Sequence, residues 1–358
     1  MKIDHIHFFV EDAISQRRWF TRYLGWTPVN TLILPDRIVE ILHYRNTPFL
    51  ISSPRTIDSP VAKYLQCHPP GVADIAIAVD NVASMFNRVK AKLHRSGAIT
   101  TILNHLAELR HQAQPPIWTK IEGWPGLQHT LVEYQSPPRR RLNVPNAQDL
   151  STPAIDHIVL NVPTGQLQAA TTFYQELFSL KKQQSFKIQT ERSGLNSQVL
   201  FSPANQIYFN INEPTSSNSQ IQTFLDANRG AGIQHIALHS DPIVATVATL
   251  RRGGMPMLSV PETYYDRLLQ RLKPDAMAPV SPTEWQQIVE QQILIDWQPK
   301  QPESLLLQIF SKPIFSKNHF FFEFIERRQA VQGFGEGNFL ALYQAIEAAE
   351  TVEVRSQP

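Results

Sequence analysis

Ile3-Asp4-His5-Ile6 returns as Ile155-Asp156-His157-Ile158, and both copies run on into alternating apolar residues that suit a β-strand. Behind each copy lies a helical pattern with apolar residues three and four apart: Trp19, Phe20, Tyr23 and Leu24 in the first, Phe173, Tyr174, Leu177 and Phe178 in the second. A second echo pairs Val72-Ala73-Asp74-Ile75-Ala76 with Ile233-Gln234-His235-Ile236-Ala237, each opening another strand-plus-helix unit. A third pairs His129-Thr130-Leu131-Val132-Glu133 with Phe322-Glu323-Phe324-Ile325-Glu326, strands that close their halves. Further strands, such as Gln198 to Phe201, Ile207 to Ile211 and Leu305 to Phe310, follow the helices. Each quarter is thus strand, helix, then antiparallel strands, an α+β pattern of incomplete barrels. The expected division is 1–136, a linker at 137–153 rich in Pro, Asn, Arg and Ser, and 154–358.

A chain of 358 residues is long for a single core, which agrees with two domains. With 42% hydrophobic and 18% charged residues it has the composition of an ordinary globular protein. Net charge is +2, and apart from Arg139, Arg140 and Arg141 beside two prolines the cations are scattered, so no nucleic-acid partner is expected. Cys67 is the one cysteine, which excludes an intrachain disulfide and suits a reducing cytoplasm. Asp4, His5 and His7 interrupt the start as a signal peptide, and no apolar run is long enough to span a membrane; a cytoplasmic protein with no membrane partner is expected.

Aligning the echoes compares His5, Asp74 and Thr130 of the first half with His157, His235 and Glu323 of the second. Only the second set is a complete two-histidine, one-carboxylate triad, the donor set that holds iron(II) and leaves positions open for other ligands. A lone histidine in an apolar strand is more often a hydrogen-bonded core residue, so the reading rests on the three together. Glu323 is the most telling, because Phe320, Phe321, Phe322, Phe324 and Ile325 surround it and a buried carboxylate there is costly unless it is paired or bound to metal. Alternation puts His157 on one face with Ile155, Val159 and Asn161.

The second half resembles the 4-hydroxyphenylpyruvate dioxygenase family of the vicinal oxygen chelate superfamily. The resemblance lies in Ser193-Gly194-Leu195-Asn196-Ser197, Ile211-Asn212-Glu213-Pro214, Gly230-Ala231-Gly232-Ile233-Gln234-His235, Pro261 to Tyr265, Leu306-Leu307-Gln308-Ile309-Phe310, Phe321-Phe322-Glu323 and Gly333 to Phe339, in family order. It implies two tandem glyoxalase/bleomycin-resistance-like domains of paired βαβββ units, the first degenerate and metal-free, the second catalytic with a C-terminal lid helix over Leu340 to Ala349. It further implies one Fe(II) per chain, 4-hydroxyphenylpyruvate and O2 as substrates, and homogentisate and CO2 as products, formed by oxidative decarboxylation, ring hydroxylation and side-chain migration. A homo-oligomer, dimer or tetramer, is also implied. By position, Ser197, Asn212, Gln220, Gln234 and Gln308 resemble the polar catalytic pocket, and Phe310, Phe334, Asn338 and Phe339 the substrate-binding residues. Strict alternation points Gln234 away from His235, so its role calls for a bulge or a late strand start. Asn210 stands where the family usually has proline, which makes that pocket wall polar and less rigid.

Two other readings stay open. 4-Hydroxymandelate synthase shares the fold, the triad and the substrate but hydroxylates the benzylic carbon, a choice of placement that no sequence displays. A non-enzymatic small-molecule-binding protein of the same fold has no need of three converging ligands.

Overall fold

A computed structural model of the chain describes residues 2–89, 97–112, 114–135, 154–189, 193–203, 207–261, 263–271, 280–298, 301–329, 331, 333–335 and 338. The expected linker at 137–153, the helix expected over Leu340 to Ala349, and Phe339 lie outside the described residues.

The first half begins with β1 (Lys2–Phe9), α1 (Ala13–Leu24), β2 (Thr27–Ile33), β3 (Arg37–Tyr44) and β4 (Thr47–Pro54), followed by α2 (Pro60–Cys67). It continues through β5 (Gly71–Ala78), α3 (Val82–Val89), α4 (Gly97–Leu109), β6 (Ile117–Glu122) and β7 (Gln128–Glu133). The second half repeats the order: β8 (Ile155–Asn161), α5 (Leu167–Phe178), β9 (Lys181–Gln189), β10 (Gly194–Ser202), β11 (Ile207–Pro214) and α6 (Gln220–Asn228). Its second unit runs β12 (Gly232–His239), α7 (Ile243–Arg252), α8 (Thr263–Arg271), α9 (Pro282–Glu290), β13 (Leu294–Gln298), β14 (Gln301–Phe310) and β15 (Phe321–Arg327). Three units are therefore strand, helix or helices, three strands; among the described residues the second unit of the first half has two strands after its helices.

The strands form a seven-stranded sheet in the order β2-β3-β4-β1-β5-β7-β6 and an eight-stranded sheet in the order β13-β14-β15-β12-β8-β11-β10-β9. In both, the strand carrying the Ile-Asp-His-Ile repeat lies near the centre. β1 pairs parallel with β4 and β8 parallel with β11, because in each unit the chain returns through a helix and a hairpin before joining the first strand. Central position explains why all seven residues of β8 are buried, Asp156, His157 and Asn161 included. The edge strand β9, by contrast, alternates exposed with half-buried residues and carries Lys181, Lys182 and Lys187, charges that discourage pairing with another chain.

By compactness the chain divides into two units, Met1–Ile236 with Phe315–Phe320, and Ala237–Ile314 with Phe321–Pro358. In the first, α4 lays Ile102, Leu103 and Leu106 on Val39, Ile41, Leu50 and Val132. The short segment Phe315–Phe320 packs Phe320 and Phe315 against Phe8, with ring centroids 5.4 and 6.0 Å away, and Asn318 donates to the Pro70 carbonyl at 2.7 Å. In the second unit Ala237, Leu306, Ile325 and Val331 make a smaller core.

Helix ends follow local chemistry. Asp12 accepts from the amides of Ile14 and Ser15 at the start of α1, and Gly25 closes that helix at φ 66°. Ser281 caps α9 with Pro282 behind it. α5 has no side-chain cap of its own; Glu213 of β11 accepts from the amides of Gly165 and Leu167 at 2.8 and 3.2 Å, placing a carboxylate at the helix N-terminus. Among the described residues no helix is long and apolar enough to cross a membrane.

Candidate metal centre

His157 of β8, His235 of β12 and Glu323 of β15 offer ligand atoms that all lie within 4.8 Å of one another. Three adjacent strands of the eight-stranded sheet supply them, which is how residues spread across the second half meet. His157 and Glu323 are each 2% exposed and His235 is half-buried. The two imidazole rings are edge to face, 5.6 Å between centroids.

The donor chemistry suits a cation. Asp156 Oδ1 lies 2.8 Å from His157 Nδ1, and a carboxylate can only accept, so Nδ1 carries the proton and Nε2 keeps its lone pair. Burial, reinforced by the nearby His157, holds the His235 imidazole well below the usual histidine range, which keeps it neutral and able to ligate. Glu323 is buried among Phe321, Phe322, Phe324 and Ile325, as its sequence surroundings predict.

The residues expected around this group fall into distinct places. Ser197 of β10 stands opposite Asn212 of β11, and Asn212 opposite Asn161 of β8. Facing residues on neighbouring strands project to one side, and residues two apart on a strand do so as well, so these three share the face of His157. The other residues of the same two motifs build the frame: Ser193 accepts from the Gln220 amide at 3.2 Å, Ser219 donates to the Gly194 carbonyl at 2.7 Å, and Asn196 donates to Glu213 at 3.2 Å. Gln220 is thereby fixed as the first residue of α6, half-buried, rather than on the strands. Gln234 is buried beside His235 in β12.

In the second unit Phe310 stands directly opposite Glu323, and Gln308 opposite Ile325. Gln308, Phe310, Phe334 and Asn338 are each 5% exposed or less, and Tyr264 donates to Asn338 Oδ1 at 2.7 Å. Arg327 at the end of β15 donates to the carbonyls of Val331 and Gly333 at 3.2 and 2.7 Å and lies over the Phe334 ring. Gly335 has φ +74°, and a Cβ there would run into the Gln308 carboxamide. The sequence places Asn161 on the His157 face but assigns neither it nor Asp156 a part in a site. Their signals are present there, Asp156 inside the repeated Ile-Asp-His-Ile and Asn161 four residues after His157 on a strand.

Residues 154–272 match the Glyoxalase/Bleomycin resistance protein/Dioxygenase superfamily. An uncharacterized protein of Synechocystis sp. is 37% identical over 98% of this chain and 98% of its own length. The 4-hydroxyphenylpyruvate dioxygenase of Neurospora crassa is 34% identical over 80% of this chain and 71% of its own. Among solved structures, a triple mutant of 4-hydroxymandelate synthase from Streptomyces coelicolor superposes with a TM-score of 0.77 at 25% identity, covering 98% of this chain and 99% of that one. The chain belongs to the 4-hydroxyphenylpyruvate dioxygenase family and is a dioxygenase of that family's vicinal-oxygen-chelate fold.

Proposed function

We propose that the chain is an Fe(II)-dependent 4-hydroxyphenylpyruvate dioxygenase, holding one iron(II) through His157, His235 and Glu323 and converting 4-hydroxyphenylpyruvate and O2 to homogentisate and CO2. The observation that carries this reading is the convergence of two imidazoles and one carboxylate within 4.8 Å in a chain of this family. Such a facial set leaves coordination positions for a 2-oxo acid and O2, and iron(II) supplies oxygen activation there. The protein's own residues do the rest. Asp156 fixes the His157 ring through its Nδ1 proton. Ser197 and Asn212 offer hydroxyl and amide groups to the polar end of a substrate on the His157 face. Phe310 and Phe334 give an aromatic ring apolar surface to lie on and help to exclude water. Gln308 and Asn338 offer further amides, and the Tyr264 hydroxyl holds that of Asn338.

The structural likeness to 4-hydroxymandelate synthase favours a second reading, in which the same substrate is hydroxylated at the benzylic carbon. The two products are isomers, so mass alone does not separate them. Purified protein reconstituted anaerobically with iron(II), then given 4-hydroxyphenylpyruvate and oxygen, should yield a product that co-elutes with homogentisate. Co-elution with 4-hydroxymandelate selects the second reading, and absence of oxygen uptake refutes both in favour of a binding protein of this fold.

A further inference from the structure

The face of β8, β11 and β10 that bears His157 is more polar than the proposed reaction requires. Register places its side chains in three rows: His157, Tyr208 and Phe201; Val159, Asn210 and Val199; Asn161, Asn212 and Ser197. Rows two residues apart are about 6.6 Å apart along the strand, so the face runs from the candidate metal ligand, past Asn210, to a cluster of two amides and a hydroxyl. All four polar residues are shut away from solvent, Asn161 at 0%, Ser197 at 2%, Asn210 at 6% and Asn212 at 8% exposure. Among the described residues both amide atoms of Asn161, Oγ of Ser197 and Oδ1 of Asn210 are buried with no hydrogen-bond partner. Each such atom costs about 1–3 kcal/mol if nothing meets it. Buried polar atoms left open together on one face mark a place where a ligand completes the hydrogen bonds.

A para-hydroxyphenyl ring laid along this face from the metal group, with its phenol at the far row, meets Ser197, Asn161 and Asn212 with that hydroxyl. Its flank then passes Asn210. A ring C–H at that point leaves the buried Oδ1 unsatisfied, whereas a hydroxyl donates to Oδ1 or, if the amide is turned over, accepts from Nδ2.

We propose that Asn210 is a specificity-determining residue that reads a second hydroxyl on the ring flank, so that the site takes aryl 2-oxo acids bearing two adjacent ring hydroxyls, with Asn161 joining Ser197 and Asn212 at the para hydroxyl. This rests on the dioxygenase reading above and keeps its chemistry. The bond between the oxo carbon and the carboxylate breaks to release CO2. One atom of O2 enters the new acetate carboxylate, the other enters the ring, and the oxo acid supplies the electrons.

The test compares 4-hydroxyphenylpyruvate, 3,4-dihydroxyphenylpyruvate and 3-fluoro-4-hydroxyphenylpyruvate, the last matching the second hydroxyl in size with no proton to donate. Oxygen uptake gives kcat/KM with the iron-loaded enzyme, and calorimetry under nitrogen gives the dissociation constants. The wild-type protein should favour the dihydroxy acid over the fluoro acid by about tenfold or more in both readouts, as expected where a site is built to hydrogen-bond a hydroxyl. In Asn210→Val that ratio should collapse towards one, and in Asn210→Ser, which puts a shorter hydroxyl acceptor in place of the carboxamide, it should be intermediate. A wild-type ratio near one, the result if ordered water alone meets Asn210, overturns the proposal without the need of any variant, as does a ratio that Asn210→Val leaves unchanged. Oxygen uptake with a ratio near one leaves the dioxygenase reading standing, while no uptake with any of the three acids removes the reading and the proposal together.

Discussion

Replacing Asp156 by Asn tests whether the second half is organised around a metal. The Asp156 carboxylate is 1% exposed and receives the His157 Nδ1 proton at 2.8 Å. As an acceptor it enforces the tautomer that keeps the lone pair on Nε2, and as an anion it strengthens the imidazole as a donor to a cation. Asn keeps the shape but loses the charge, and it can present its NH2 to Nδ1, which selects the wrong tautomer. A hydrogen bond to a charged group contributes about 1.5–3 kcal/mol. With each tenfold change in affinity worth about 1.4 kcal/mol, metal affinity should fall about ten- to a hundredfold. The assay is anaerobic iron(II) titration by calorimetry. Asp4→Asn provides the internal control, since Asp4 makes the same contact to His5 Nδ1 at 2.7 Å in the first half. That variant should lose stability, because Asp4 also binds Arg110 at 2.5 Å and Tyr134 at 2.9 Å, yet keep iron(II) affinity. Equal affinities for wild type and Asp156→Asn, in a variant that still folds, would refute the reasoning.

Three further outcomes follow from individual contacts. Lys120→Met strips the buried Asp74 carboxylate of an ammonium 3.1 Å away and should cost about 3–5 kcal/mol in urea unfolding, much of it recovered in Lys120→Met/Asp74→Asn; a loss below about 1 kcal/mol would show that Thr130 alone satisfies Asp74. Gly335→Ala forces a side chain at φ +74° against Gln308, so kcat/KM should drop about tenfold or more; unchanged kinetics would remove Gln308 from the site. His43 is held at about 4, first by burial and then by Arg110, against an ordinary 6.5. Below pH 6.5 the unfolded chain therefore takes up a proton that the folded chain refuses, so the stability held in full above that pH drains away down to about pH 4. From pH 7 to 5 the loss should be about 2 kcal/mol from this residue, with His7 and His129, also lowered by burial, acting in the same direction. His43→Gln should flatten the slope of unfolding free energy against pH, and an unaltered slope would exclude His43 as a source.

Much of the architecture is legible because it is written twice. The repeated tetrapeptide marks β1 and β8, the two weaker echoes mark β5 with β12 and β7 with β15, and the spacing of Phe173, Tyr174, Leu177 and Phe178 marks α5. Glu323 stands out because a carboxylate among phenylalanines is chemically out of place. What stays hidden depends on register and on contacts between distant segments. A shift of one residue reverses every side chain of a strand, so no pattern announces that Lys120 faces Thr130 or that Phe310 faces Glu323. Glu213 looks like one more residue of the Ile211 to Pro214 motif until it is seen to cap α5. Asn210, read from the sequence as a softened pocket wall, proves to be a buried carboxamide whose Oδ1 has no partner among the described residues.

Comparison of the two halves explains why the sequence alignment singles out only one. Where the second half has His157, His235 and Glu323, the first has His5, Asp74 and Thr130, and each of those is already engaged. His5 gives its Nδ1 proton to Asp4, and Asp4 is in turn held by Arg110 and Tyr134. Asp74 takes the Thr130 amide and hydroxyl at 2.9 and 2.6 Å and the Lys120 ammonium at 3.1 Å. Lys120 faces Thr130 across β6 and β7 as Phe310 faces Glu323 across β14 and β15. One strand position thus carries a cation in the half that keeps a lone carboxylate, and an aromatic ring in the half that gathers two imidazoles and a carboxylate. A metal ion entering the first half would have to expel that ammonium from a buried carboxylate and would find one imidazole in place of two. In the second half the corresponding position facing Glu323 is Phe310, an aromatic ring that brings no charge beside the carboxylate.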